Sequence, residues 1–208
     1  MSWHGLGTGK GRDPMSLGHS SAAKNLNSPQ IAAEYLEYVG GLLASVDLDA
    51  LERVVAALRE ARDRGAGIYV VGNGGSAAAA SHFATDLAKL GGAAMRVMSL
   101  TDNIPLLTAL ANDHGYQEVF ERQLANLFAP GDVLVAISAS GNSPNLIRAV
   151  ESAKARGGTT VALVGFDGGV LRDAVDHALF VPSEFGRYGP AEDVHLILQH
   201  VITSCLAR

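Results

Sequence analysis

Two loops of this 208-residue chain carry residue types suited to binding an anion. The first is the Gly-Asn-Gly-Gly-Ser run at Gly72–Ser76, and the second is the serine-rich run at Ser138–Asn145. Each follows an apolar, β-branched run and opens a segment of helical character. Glycines let the backbone approach an oxyanion, and a helix N-terminus offers free N–H groups and a positive dipole. Either loop alone is equally typical of turns and N-caps, but the two together favour a phosphate site.

A nucleotide-binding alternative exists for the first loop. The spacing Gly72-x-Gly74-x-x-Ala77 fits a dinucleotide fingerprint, and Asp102 lies where a ribose partner could follow. That interpretation would make the protein a redox enzyme. A dinucleotide site needs no second serine-rich cradle, however, so we favour the phosphate interpretation and expect no nucleotide cofactor.

Titratable side chains form a second set of candidates, on two predicted helices. His82 and Asp86 are four residues apart and share a helix face, which suits a metal pair or a histidine oriented by a carboxylate. Glu192 and His200 are eight residues apart, or about 12 Å along a straight helix, so they share one ion only if their side chains lean together or the helix bends. His195 is either a further site residue or a buried, hydrogen-bonded histidine. The alternative for His82, Asp86 and His200 is a surface or core position without chemistry.

Five short β-branched runs alternate with helical segments and must position these groups. The predicted strands are Ile68–Val71, Arg96–Leu100, Val133–Ile137, Thr160–Val164 and Ala178–Val181. The predicted helices between and after them are Ala77–Leu90, Ile104–Leu110, Tyr116–Leu127, Asn145–Arg156, Val170–Ala174 and Glu192–Leu206. Uninterrupted apolar strands indicate burial on both faces, and repeated β-α order indicates a parallel sheet covered by helices. Ligands of such sheets bind at the carboxyl ends of the strands, where both loops lie.

The N-terminal part of the chain divides in two. Residues 1–30 have no periodicity and predict a flexible tail, whereas residues 31–208 predict a single domain. Two amphipathic helices open that domain over Ile31–Leu58, and their apolar surface exceeds what a short tail can cover.

Composition excludes several classes of protein. Lys and Arg number 16 against 21 Asp and Glu, so the net charge of −5 lacks the basic excess typical of nucleic-acid binding. The single cysteine, Cys205, excludes an internal disulfide and suits a reducing cytoplasm. Apolar runs such as Ile68–Val71 are far shorter than the roughly 20 residues of a membrane span. We therefore expect a cytoplasmic protein with neither nucleic acid nor membrane as a partner.

Four segments resemble the sugar isomerase (SIS) family, and within it the sedoheptulose 7-phosphate isomerases, also called phosphoheptose isomerases. The matching segments are Val70–Leu87, Ala111–Tyr116, Pro130–Asn145 and Glu192–His200. The resemblance implies a three-layer αβα sandwich with a five-stranded parallel sheet of flavodoxin-like type and two N-terminal helices packed between subunits. It also implies a homotetramer with active sites at subunit interfaces. Such enzymes convert sedoheptulose 7-phosphate to D-glycero-D-manno-heptose 7-phosphate through an enediol(ate), and many bind zinc.

The resemblance also implies roles for individual residues. Phosphate contacts are expected from the two loops, with Asn103 as a sugar or phosphate neighbour: Asn73, Gly74, Gly75, Ser76, Ser138, Ser140 and Ser143. Metal ligands are expected at His82, Asp86, Glu192 and His200, with Asp86 and His200 exchanging the protons and Glu192 also touching substrate. The family usually has Glu at the position of Asp86 and Gln at that of Glu192.

These residues predict a phosphosugar ketose–aldose isomerase. The alternative is a non-catalytic SIS protein that binds a phosphosugar or associates with a replication initiator. An enzyme requires the four metal and acid–base residues to converge beside the serine loops, whereas a binding protein does not. The segment Glu184–Pro190 is a candidate lid over the sugar.

Overall fold

The computed structural model describes residues 27–90 and 95–208, so most of the predicted tail lies outside the described residues. Helix α1 spans Ser28–Ala44 and begins three residues before the predicted start at Ile31. Asn27 and Gln30 form a capping box, in which each side chain accepts a hydrogen bond from the other's backbone N–H. This local pairing fixes the start of the helix ahead of its first apolar residue.

A five-stranded sheet forms the middle layer, as predicted. Its strands are β1 (Gly67–Gly72), β2 (Arg96–Ser99), β3 (Val133–Ser138), β4 (Thr159–Val164) and β5 (His177–Phe180). They are all parallel and lie in the order β2-β1-β3-β4-β5. The expectation of burial on both faces is wrong for β2, in which Arg96 and Met98 are exposed. The reason is its place at the edge of the sheet, beside β1 alone.

Helices cover both faces of the sheet and complete three layers. They are α1, α2 (Leu48–Arg64), α3 (Gly75–Ala88), α4 (Ile104–His114), α5 (Val119–Leu127), α6 (Pro144–Ala155), α7 (Gly169–Ala174) and α8 (Tyr188–Leu206). One core cluster joins the sheet to α1, α2, α3 and α8, and a second joins its other face to α5, α6 and α7. The helices that carry the candidate titratable groups, α3 and α8, therefore share one face.

The predicted lid is shorter than expected because α8 begins at Tyr188 rather than Glu192. Tyr188–Pro190 form the first turn of that helix, which leaves residues 184–187 as the connecting segment. This segment is tied to α1: the Glu184 N–H donates to the Tyr38 hydroxyl at 2.6 Å, and the Arg187 guanidinium lies 4.1 Å from the centre of the Tyr38 ring. These contacts hold the segment against the body of the domain.

Among residues 27–90 and 95–208, the structure has no helix that is both long and apolar enough to cross a membrane.

Candidate active site

The loops that follow β1 and β3 enclose a pocket at the carboxyl edge of the sheet. Its lining is mostly hydroxyl and amide groups, with three apolar residues and one acid: Asn73, Ser76, Ile137, Ser138, Ala139, Ser140, Ser143, Leu146, Tyr188 and Glu192. Gly74 and Gly75 stand at the start of α3, where the helix N-terminus meets the pocket. The two predicted phosphate loops thus meet in one pocket that can offer many hydrogen bonds to an oxyanion.

An amide pair braces the two loops against each other. The Asn73 amide donates to Asn145 Oδ1 and accepts from Asn145 Nδ2, both at 2.9 Å. The Tyr116 hydroxyl donates to the same Asn73 Oδ1 at 2.8 Å. Sequence reasoning names neither partner as a site residue. Both lie in segments that resemble the SIS family, Ala111–Tyr116 and Pro130–Asn145, but no spacing in the sequence relates Tyr116 to a residue 43 positions earlier.

Gly141 makes the sharp turn of the second loop, with a φ of +62° that accommodates glycine best. The Ser138 Oγ accepts its N–H at 3.0 Å, and a Cβ at this position would collide with the backbone carbonyl of Gly168. We expect Gly141→Ala to lower the free energy of unfolding by more than the roughly 1–2 kcal/mol of left-handed strain alone. Urea denaturation measures the loss.

Gly157→Ala is the matched control for that variant. Gly157 also has a positive φ, of +74°, but a Cβ there would meet only Pro130 at an ordinary contact distance of 3.8 Å. Its replacement should cost the strain without the collision. Equal losses in the two variants would contradict the role given to the Gly168 carbonyl.

A second cluster lies where α3 and α8 pack side by side. His82 Nε2 and His200 Nε2 are 2.8 Å apart, and Asp86 Oδ2 lies 3.2 Å from the former and 3.6 Å from the latter. Their side chains are 46%, 53% and 23% exposed for His82, His200 and Asp86, so the cluster opens outward. The structure therefore brings together three of the four predicted metal and acid–base residues, from helices remote in sequence.

The donor set of this cluster fits a divalent metal. The three ligand atoms lie within 4.8 Å of one another, and two imidazoles with one carboxylate are typical of a catalytic zinc site that keeps an open position. Bonds of about 2.0–2.1 Å would place two tetrahedral nitrogen ligands about 3.3 Å apart. The histidine nitrogens need to separate by only about half an ångström to reach that spacing.

Glu192 lies outside that cluster, so a single chain brings together three of the four expected ligands and the role of Glu192 as a ligand stays a prediction. Among the described residues, the metal-binding group consists of His82, Asp86 and His200 alone. Glu192 lies two turns earlier on α8, where its carboxylate packs against Gly75 at the start of α3. Burial, and next the charge of Asp193, raise the pKa of the Glu192 carboxyl. The structure places Glu192 in the phosphate pocket, the second position predicted for it.

Asn103 is not among the residues that line the pocket. It is exposed, and its side chain accepts the Leu106 N–H at 3.1 Å as the N-cap of α4. The structure thus explains this asparagine by helix capping.

His195 is fully buried on α8, one turn before Gln199. Among the described residues, neither ring nitrogen of His195 and neither amide atom of Gln199 has a hydrogen-bond partner. Burial lowers the pKa of His195 to about 4. The nearby Val164 backbone carbonyl raises this pKa in part, although it does not meet the geometry of a hydrogen bond with the ring. Of the two alternatives for His195, the structure favours a core position, although without the expected hydrogen bonds.

Comparison with known proteins identifies the family. A sequence model of the SIS domain matches residues 34–165. The phosphoheptose isomerase of Helicobacter pylori is 39% identical over 183 residues, which cover 86% of this chain and 94% of that protein. The solved phosphoheptose isomerase GmhA of Neisseria gonorrhoeae is 32% identical with a TM-score of 0.79, over 86% of this chain and 97% of that one. A phosphoheptose isomerase from Francisella tularensis is 26% identical with a TM-score of 0.81, over 87% and 98%.

These relatives are matched over nearly their whole length, and the SIS model covers both serine-bearing loops and the helix that carries His82 and Asp86. The chain belongs to the SIS domain family and, within it, to the phosphoheptose isomerases.

Proposed function

We propose that this protein converts sedoheptulose 7-phosphate to D-glycero-D-manno-heptose 7-phosphate through an enediol. The observation that carries the proposal is the relation between the two clusters. Ser76 and His82 are six residues apart on α3, and Glu192 and His200 are eight apart on α8, or about 9 and 12 Å along the helix axes. A phosphate pocket and a proton-transfer group so spaced suit a sugar whose phosphate and reacting carbons are at opposite ends.

The phosphate would anchor the substrate in the pocket between the loops. Ser76 and Ser138 are each only 4% exposed, so their hydroxyls are held in place before substrate arrives. Binding energy from the remote phosphate then holds the reacting carbons beside His82, Asp86 and His200. The proton transfers thereby become effectively unimolecular.

Asp86 and His200 would carry the two proton transfers. Asp86, as carboxylate, takes a proton from C1 while protonated His200 gives one to the carbonyl oxygen at C2, which forms the enediol. Asp86 then returns its proton to C2, and His200 takes the proton of the C1 hydroxyl, which leaves an aldehyde at C1. Both residues end as they began, so the reaction needs no external oxidant or reductant.

We further propose that His82, Asp86 and His200 hold zinc. Two imidazoles and one carboxylate supply the donor atoms, and the cluster is open on one side. A zinc ion bound there would supply Lewis-acid polarisation of the sugar carbonyl. Because an imidazole that binds a metal is unprotonated, His200 would act as the proton donor described above only when its ring nitrogen is not bound to the ion. His82, which has no proton to transfer in the scheme above, would then act by orienting the other two.

Assembly as a homotetramer with interfacial active sites, in the cytoplasm, completes the proposal. Apolar side chains are exposed on α1, at Ile31 and Leu36, and on α8 beside His200, at Ile197 and Val201. Contiguous exposed apolar surface is typical of subunit interfaces. Contacts there would bring a second subunit to the edge of the proton-transfer cluster.

The test follows aldose formation from sedoheptulose 7-phosphate by NMR, with metal-free and zinc-loaded protein. We expect turnover that Asp86→Asn and His200→Ala abolish. Saturable binding without turnover in both metal states would overturn the isomerase proposal for this substrate. It would favour the non-catalytic alternative instead.

A further inference from the structure

The amide pair that joins the two phosphate loops has two equivalent arrangements. Asn73 and Asn145 exchange one hydrogen bond in each direction, both at 2.9 Å. If both amide groups turned over by half a turn, each oxygen would take the place of a nitrogen, and the two hydrogen bonds would form again. The pair by itself therefore does not determine which end of the Asn73 amide is available to a ligand.

The Tyr116 hydroxyl distinguishes the two arrangements. It donates to Asn73 Oδ1 at 2.8 Å, so this oxygen accepts two hydrogen bonds and both of its lone pairs are used. One N–H of Asn73 Nδ2 donates to Asn145, and the second N–H stays outside the pair. In the opposite arrangement, an oxygen lone pair would take the place of that second N–H, and the Tyr116 hydroxyl would lose its acceptor.

This difference decides how the Asn73 amide interacts with an anion. Asn73 lines the phosphate pocket, whose other polar groups are mostly hydroxyls. A phosphate dianion only accepts hydrogen bonds, so an N–H stabilises it and a carbonyl oxygen in the same place repels it. The arrangement that the structure holds is the one that favours the bound anion.

Tyr116 is held in place by contacts that do not involve its hydroxyl. It opens a single 3-10 turn, Tyr116–Glu118, which lies between α4 and α5 and packs against α6. The Glu118 carboxylate pairs with Arg122 of α5 at 2.7 Å and with Arg148 of α6 at 3.8 Å. Tyr116 is not among the residues that line the pocket. Removal of the hydroxyl alone should therefore leave the ring where it is.

We propose that Tyr116 is a positioning residue of the phosphate site, whose hydroxyl holds the Asn73 amide so that an N–H, and not the carbonyl oxygen, is available to the anion. The inference rests on the phosphate pocket of the proposed function, but not on its proton transfers. Tyr116 makes no contact with the anion, and its effect on binding passes through Asn73.

Calorimetric titration of the full chain with inorganic phosphate measures this effect without any turnover. Tyr116→Phe removes the hydroxyl and keeps the ring. We expect its Kd for phosphate to be about three- to tenfold higher than that of the natural chain, which is the usual contribution of one hydrogen bond. The KM for the phosphosugar should rise by a similar factor with kcat nearly unchanged, because the lost interaction serves binding alone.

A double-mutant cycle tests whether the hydroxyl acts through Asn73. Asn73→Ala should weaken phosphate binding by itself, and Tyr116→Phe should add no further loss in that background. Equal losses from Tyr116→Phe in both backgrounds would overturn the inference, because the hydroxyl would then act by another route. An unchanged Kd in Tyr116→Phe, or no phosphate binding by the natural chain, would also overturn it.

NMR of the Asn73 side-chain amide is a second measurement that does not need the Asn73→Ala variant. In the natural chain, phosphate should shift the signal of one Nδ2 proton downfield, as expected for an N–H that donates to an anion. At the same saturation, the shift should be much smaller in Tyr116→Phe. The same shift in both proteins would contradict the role given to the hydroxyl.

Tyr69→Phe is the matched control. The Tyr69 hydroxyl also donates at 2.8 Å, but its acceptor is the Leu127 backbone carbonyl, and neither residue lines the pocket. This variant loses a hydrogen bond of the same length and should leave the Kd for phosphate unchanged. A rise equal to that of Tyr116→Phe would show a general effect of lost stability and overturn the inference.

The isomerase proposal fails or stands separately. Phosphate binding that weakens in Tyr116→Phe, but no conversion of sedoheptulose 7-phosphate, would leave the present inference intact and refute the activity. Conversion of the sugar, with phosphate binding equal in Tyr116→Phe and the natural chain, would do the reverse.

Discussion

His200→Ala is expected to lower kcat for the isomerisation by about 10²- to 10⁴-fold, the usual contribution of a positioned acid or base. His200 is one of three groups that meet where α3 and α8 pack together, and its Nε2 contacts both His82 and Asp86. Its loss removes a proton carrier and one of the metal-binding atoms. The KM for the phosphosugar should change far less, because the serine-lined pocket is left intact.

Steady-state kinetics with zinc in excess, together with zinc titration of the metal-free protein, measure both effects. His177→Ala is the control, since His177 begins β5 at the opposite edge of the sheet from the strands' carboxyl ends. It removes the same ring and should leave kcat unchanged. A His200→Ala enzyme with full kcat would show that the cluster does not carry the reaction.

His195 is expected to make the protein sensitive to mild acid. Its pKa is lowered to about 4 in the folded state, mainly by burial, against about 6.5 when unfolded. The unfolded chain therefore binds the extra proton first as pH falls. Stability is fully present above pH 6.5 and is lost between about 6.5 and 4, by about 3 kcal/mol.

Urea denaturation at fixed protein concentration, from pH 7 to pH 4.5, measures this loss. His195→Leu should retain most of its stability over that range, while the exposed His114→Gln should behave as the natural chain does. Carboxylates with lowered pKa values, such as Glu118 and Asp176, lose their contribution to stability at more acidic pH, below the range in which His195 acts. Equal acid sensitivity in His195→Leu would contradict the assignment.

The fold follows from local patterns and was accessible from the sequence. Five β-branched runs between helical segments predict the parallel sheet, and both serine loops are found at the ends of their strands. The exposure of β2 could not be predicted from the sequence, because the residues of a strand do not show whether it lies at the edge or in the middle of the sheet. The start of α1 depends on the capping box of Asn27 and Gln30, which lies in a segment without hydrophobic periodicity.

The site divides in the same way. The spacing of His82 and Asp86 predicts a shared helix face, but only the packing of α8 on α3 brings His200 to them. Helix rise separates Glu192 from His200 by about 12 Å, and in the single chain Glu192 lines the pocket whereas His200 lies in the cluster with His82 and Asp86. The contact of Tyr116 with Asn73 arises from tertiary packing and leaves no trace in residue spacing.

The reciprocal amide pair of Asn73 and Asn145 has a consequence for the entropy of binding. It joins the two phosphate loops by two hydrogen bonds before any ligand arrives. An incoming anion therefore does not have to order these loops, an expense that otherwise lowers affinity. The heat capacity change on anion binding should therefore be small, because the loops do not fold on binding and little surface is newly buried.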